Sequence, residues 1–244
     1  MLQYVWMRGD MMRKFTDWNC NLLPMMGDLV TSPHESAETL ILLKEKFGLS
    51  CFCMMPEFDC KKDSVSAFIA KRERAMNDVL PLLPRDIKLI SGASVTLLPG
   101  LSEECDLKKL LLPKTNELPI KLPFFSMPND ISVELNRLLY HSPWRICFLS
   151  FDSYVNCYPK EEIDRLSNLE NASFQFNYRS LESAEIRELI KRLLSNGVTI
   201  RFGTELHSYG KACYYEFDRF IELAKAHFSE YEIDLLFFPK KKTK

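Results

Sequence analysis

The segment FTDWNCNLLPMMGD, from Phe15 to Asp28, sets Asp17, Asn19 and Asn21 at alternate positions behind an apolar lead-in. In an extended chain, side chains two residues apart leave the same face, so three oxygen-bearing groups are expected to point together at a strand end. A metal-binding strand end is spelled this way, followed by a Leu-Leu-Pro turn and an Asp, but with stronger ligands than asparagine. Amide oxygens are neutral and hold a transition metal weakly. Further along, Glu57 follows Pro56, Ser94 lies in GASV, Lys121 in KLPF and Ser150 in LSFDSY, while Glu205 and His207 alternate in GTELH. Polar tips on apolar runs describe one pocket of mixed sign with a single histidine.

Those tips need a scaffold, and the hydrophobic pattern supplies one. Short β-like runs fall at 15–22, 49–55, 87–90, 118–124, 145–151, 173–178 and 198–203, and most are followed by an amphipathic helical stretch. Ser32-Pro33-His34-Glu35 reads as a capping box with proline at the first helical position, and Gly48 closes that helix. Further helices are predicted over 63–80, 106–112, 130–140, 160–166, 180–195 and 215–228. LSCFCMM is apolar on both faces, as a doubly covered strand must be. Strict alternation implies parallel strands with right-handed crossovers. The expected fold class is α/β, a single (β/α)7 TIM-like barrel over 15–238, with an N-terminal extension at 1–14 and a solvated basic tail at 239–244. In such a barrel the site is built at the carboxyl ends of the strands.

Composition narrows the function. The chain has 244 residues, 46% of them hydrophobic, and 32 basic residues against 33 acidic ones leave a net charge of −1. No general field draws nucleic acid or a membrane surface. No apolar run approaches the roughly 18 residues a membrane span requires. Charged residues interrupt the first fifteen positions, so no signal peptide is expected. Eight cysteines without a C-x-x-C pair read as small buried residues in a reducing compartment, which places the protein in the cytoplasm. A cysteine hydrolase is disfavoured: Cys20 is turned away from its asparagine neighbours.

The ordered strand ends resemble the PHP superfamily, and most of all its metal-dependent protein tyrosine phosphatases from bacterial capsular and exopolysaccharide loci. The resemblance runs from about residue 15 to 210. It rests on Asp17-x-Asn19-x-Asn21-Leu22-Leu23-Pro24, Met55-Pro56-Glu57-Phe58, Gly92-Ala93-Ser94-Val95, Lys121-Leu122-Pro123, Leu149 to Tyr154, Phe174 to Leu181 and Gly203 to His207. It implies a distorted barrel of the PHP type and a cluster of divalent cations that activates water and clamps phosphate oxygens. Position by position, most of that chemistry is missing here. Asn19 and Asn21 stand for paired histidines, and Gly27 for a liganding Asp, with Asp28 beside it. Ser94 stands for a glutamate, Ser150 for a histidine, Lys121 for a bridging carboxylate and Ser153 for the phosphate-binding arginine. His207 is retained, Glu205 stands for Asp, and Glu57 substitutes one ligand type for another.

The resemblance therefore implies a vestigial pocket of Asp17, Asn19, Asn21, Asp28, Glu57, Ser94, Lys121, Ser150, Glu205 and His207, with no catalytic residue and no cofactor expected. Lys121 takes over the metals' positive charge and pairs with Glu57, Glu205 or Asp17. The chain would then act as a binding or regulatory protein in capsular or exopolysaccharide biosynthesis. A phosphotyrosine protein such as a tyrosine autokinase tail would be its partner. The alternative is an active metal-dependent phosphatase using one divalent ion such as Mn²⁺, held by Glu57, Glu205 and His207.

Overall fold

The computed structural model describes residues 15–27, 30, 32–104, 106–207 and 217–237. The expected extension at 1–14 and basic tail at 239–244 lie outside them, as do Asp28, Cys105 and Cys213. In chain order the elements are β1 (Thr16–Cys20), α1 (Pro33–Phe47), β2 (Cys51–Met54), β3 (Glu57–Phe58), α2 (Val65–Val79), β4 (Lys88–Ser91), β5 (Ser94–Thr96) and β6 (Glu117–Lys121). Then come α3 (Asn129–His141), β7 (Arg145–Phe148), α4 (Phe151–Val155), α5 (Lys160–Ser167), β8 (Ala172–Asn177), α6 (Ala184–Ser195), β9 (Ile200–Gly203), α7 (Phe217–His227) and α8 (Glu230–Phe237).

Local chemistry sets many of these boundaries. Ser32 Oγ accepts from the Glu35 amide at 3.2 Å, and Gly48, at φ 76°, closes α1 by donating its N–H to Lys44 O. A left-handed φ of that kind is where glycine costs nothing. Ser64 and Ser183 cap α2 and α6 in the same way as Ser32 caps α1. Pro119 sits inside β6, opposite Cys147 of β7, yet the ladder with β5 takes up only at Ile120, so its missing N–H interrupts nothing. The helix expected at 106–112 is a 3-10 turn, Leu107–Leu110, and the strand expected to run to 151 stops at Phe148. Ser150 adopts φ 52° there and turns the chain into α4.

Every strand pairing among the described residues is parallel, in two sheets of order β1-β2-β4 and β3-β5-β6-β7-β8-β9. Three connections pass between the sheets: β2 to β3 across Met55-Pro56, β3 to β4 through α2, and β4 to β5 across Gly92-Ala93. The far edges approach as well: Glu205 N donates to Asn19 O at 2.7 Å and Asn21 N to Leu206 O at 2.9 Å. The expected single closed ladder is not formed among the described residues. Pro56 and Gly92 at the two short crossings interrupt the regular pairing that one ring of strands needs.

Alternation divides the core. Phe52, Met54, Phe148, Phe174, Phe176 and Phe202 pack with the helices in one cluster, while Cys53, Met55, Cys147 and Leu149 form a second with Trp18 and Ile90. Burial of each large apolar side chain in the first is worth roughly 1.5–3 kcal/mol. The edges meet so closely that a Cβ added at Gly203 would lie 2.6 Å from the Asn19 backbone nitrogen and Cβ. Backbone cannot yield as a flexible side chain can, so Gly203→Ala is expected to cost about 1–3 kcal/mol in a urea melt. A cost below about 0.5 kcal/mol would show that β1 and β9 separate easily.

Candidate functional site

At the carboxyl ends of the strands lies a chamber of about 260 Å³, lined by Asn19, Asn21, Glu57, Ser94, Lys121, Ser150, Glu205 and His207, with Leu23, Met26, Gly27, Val30 and Pro56 completing its wall. The structure thus brings together eight of the ten positions singled out in the sequence. Asp28 lies outside the described residues. Asp17 is displaced, and the cause is local. The β1–β2 register shifts between Asp17 and Cys20, a bulge that defeats the simple two-residue alternation. Asp17 pairs in register with Phe52, whose side chain belongs to the helix-covered core, whereas Asn19 and Asn21 face the chamber.

Asp17 is a structural acid. Its Oδ1 accepts from the amides of Asn19 at 3.1 Å and Thr204 at 3.0 Å, and its Oδ2 meets Thr204 Oγ1 at 2.6 Å. Burial lifts its pKa to about 6, more than the Thr204 and Asn19 hydrogen bonds lower it, and Glu205 nearby adds to the rise.

Of the three carboxylates offered to Lys121, Glu57 takes it, with Nζ 2.9 Å from Oε2. Both side chains are about half exposed, 47% and 48%, so the pair sits on the rim rather than in a dry interior. Burial pushes Glu57 up, but the Lys121 hydrogen bond and charge, with the Thr96 hydroxyl, hold it below the usual carboxylate range. At that exposure the pair contributes at most about 1 kcal/mol. Glu205 is the deeper carboxylate. It takes a left-handed φ of 53°, its Oε1 is buried without a hydrogen bond, and burial raises its pKa against the opposing pull of Ser150 and Lys121. Ser150 and Glu205 are therefore both chamber residues in a conformation non-glycine residues rarely adopt, which is where functional sites store strain.

A side chain quoted in the sequence series but given no role there turns out to organise the floor. Gln175 is fully buried, and its Oε1 accepts from the Ser150 amide and from Asn19 Nδ2, both at 2.9 Å, while its Nε2 donates to Phe176 O. A polar residue between two phenylalanines in FQF was the available signal. Asp152 was missed as well: its Oδ1 accepts from the Asn177 amide, and burial, reinforced by Glu205, lifts it to about 7. Cys20 is fully buried, and burial raises its thiol far out of the nucleophilic range.

No family model matches the chain, and no curated protein does. Among solved structures the chain is similar to one reported for YwqE from Bacillus subtilis and CpsB from Streptococcus pneumoniae, unique metal-dependent tyrosine phosphatases, with a TM-score of 0.67 over 90% of each chain and 17% identity. The chain shares that fold. That metal-dependent structural neighbour raises the question whether the residues present here fit a metal. Among the described residues no three of His, Cys, Asp or Glu form a group that could hold one. Glu57 is engaged by Lys121, two neutral amides line the chamber with Glu205, and an ammonium stands on the rim. Among the described residues this donor set does not fit a cluster of divalent cations.

Proposed function

We propose that the chain is a degenerate homologue of the PHP tyrosine phosphatases, built on a distorted barrel, that acts by binding rather than by turnover. The Lys121–Glu57 ion pair carries the reading. Within a pocket whose relatives gather cations, two unit charges about 4 Å apart repel by roughly 4 kcal/mol at an effective dielectric near 20. The hydrogen bonds that join β1 to the segment after β9 support closure of the barrel. A regulatory place in capsular or exopolysaccharide biosynthesis follows from the resemblance. A phosphotyrosine-bearing tail would have to displace Glu57 from Lys121 to gain a counter-charge at the rim.

The purified protein in MnCl₂ with p-nitrophenyl phosphate is expected to show no release of nitrophenol above the Mn²⁺ blank, with or without EDTA. Chelator-sensitive turnover that His207→Ala abolishes would establish the single-metal phosphatase of Glu57, Glu205 and His207 instead.

A further inference from the structure

The hydrogen-bond polarity of the chamber can be read from one fixed donor. The backbone amide of Ser150 can only donate, so the Gln175 atom facing it at 2.9 Å must be oxygen. That oxygen also faces the Asn19 side chain, which must therefore present its NH₂ to it, again at 2.9 Å. Asn19 Oδ1 is left for the chamber. This orientation, ambiguous for most asparagines, is set here by the chain of contacts. Asn19 is 3% exposed, and its Oδ1, Asn21 Oδ1 and Glu205 Oε1 are all buried without a hydrogen bond. All three residues line the same chamber. Asn19 Oδ1, whose orientation is fixed, costs about 1–3 kcal/mol if left dry. Asn21 and Glu205 set further acceptor oxygens on the same wall, so the chamber favours a ligand that brings donors.

We propose that the chamber holds a neutral, hydroxyl-rich small molecule the size of one sugar or cyclitol ring, through Asn19 Oδ1, Asn21 Oδ1 and Glu205 Oε1. The assignment rests on the reading of this pocket as a binding site. A phosphate group brings only acceptors and negative charge to three acceptors, one of them a carboxylate, and is rejected. A cation meets Lys121, whose charge already reaches Glu205. A neutral ring avoids both conflicts. Its hydroxyls donate to the three oxygens and exchange hydrogen bonds with Ser94 and Ser150, and its C–H face lies on Leu23, Met26, Val30 or Pro56. A volume of about 260 Å³ admits one such ring.

The test is a titration of the intact ¹⁵N-labelled protein, followed by NMR, with myo-inositol and methyl α-D-glucopyranoside. Inositol 1-phosphate, glucose 6-phosphate, methylammonium chloride and CaCl₂ run in parallel. The expected result is saturable millimolar binding of at least one neutral ring, with its phosphate at least about tenfold weaker. Asn21→Leu is expected to weaken the ring by about tenfold or more, and Asn21→Asp, which keeps the shape and an acceptor, to retain it. The proposal is overturned if neither ring saturates up to about 100 mM, if a phosphate, methylammonium or Ca²⁺ binds more tightly, or if a folded Asn21→Leu protein binds unchanged. Turnover of p-nitrophenyl phosphate by the same preparation would sink the non-catalytic reading, whatever the titration shows. Silence in both assays would sink the ligand assignment alone.

Discussion

Arg201→Met is expected to cost the fold about 3–5 kcal/mol, as a lower urea midpoint at neutral pH, because it strands Glu117 in the interior without its main partner. Arg201 and Glu117 are 6% and 4% exposed, with Arg201 Nη2 2.5 Å from Glu117 Oε2. The approach is off the line of a good hydrogen bond, so the contact is best treated as a charge pair. Arg201 Nη1 donates to Ser173 Oγ at 3.2 Å, and its guanidinium lies 5.0 Å from the Trp18 ring centre. Arg145 Nη1, 3.8 Å from Glu117 Oε1 and partly exposed, is too distant to replace it. The surroundings are dry enough that burial pushes the thiol of Cys147, which Arg201 and Glu117 both influence, up to about 11. Removing both charges tests the cause. Glu117→Leu with Arg201→Met should recover most of the loss, since a hydrophobic pair of similar volume replaces a buried ion pair at little cost. If the single variant lost less than about 1 kcal/mol, water would have to reach this end of the strands.

The same pair shows where sequence reading stops. Ser32, Gly48 and the strand ends were legible because each is a local signal: a hydroxyl three residues before an amide, a left-handed stop, a polar tip on an apolar run. Those signals sufficed to assemble most of the chamber, and they located Lys121 on its rim. Arg201 and Glu117 lie 84 positions apart, 201 less 117, and pair only because β6 and β9 share a sheet. An arginine inside IRFG was visible, but not what balances it. Asp17 was misplaced because a bulge leaves no mark in a two-residue alternation. Gln175 escaped because its role, orienting Asn19 through the Ser150 amide, exists only when three strands meet. The short β3 and β5 were absorbed into neighbouring turns, and α8, rich in acidic residues, lacked a readable apolar stripe.

Stability is expected to fall by about 2–4 kcal/mol between pH 5 and pH 8, the opposite of the usual acid lability. Asp17 and Asp152 are both buried acids whose folded pKa values, about 6 and about 7, lie above the 3.8 of an unfolded aspartate. A raised pKa means the native state binds the proton more tightly than the unfolded chain. The resulting stabilisation is complete below about pH 4 and is lost as pH rises through 6 and 7. Glu205 moves in the same direction, while Glu57, held low by Lys121, acts only at more acidic pH. Urea midpoints from pH 5 to pH 8 measure the slope. Asp152→Asn should flatten it most, because the amide keeps an oxygen for the Asn177 N–H and no longer ionises. Asp17→Asn should flatten it further, since Oδ1 still serves the Asn19 and Thr204 amides. A midpoint that climbs from pH 5 to pH 8, or a slope untouched by both substitutions, would mean these carboxylates are solvated or share an unseen cation. The physical origin is the same in both carboxyls: burial strips water from the ionised form, and Glu205 nearby adds a like charge, so the proton is held more tightly in the folded chain.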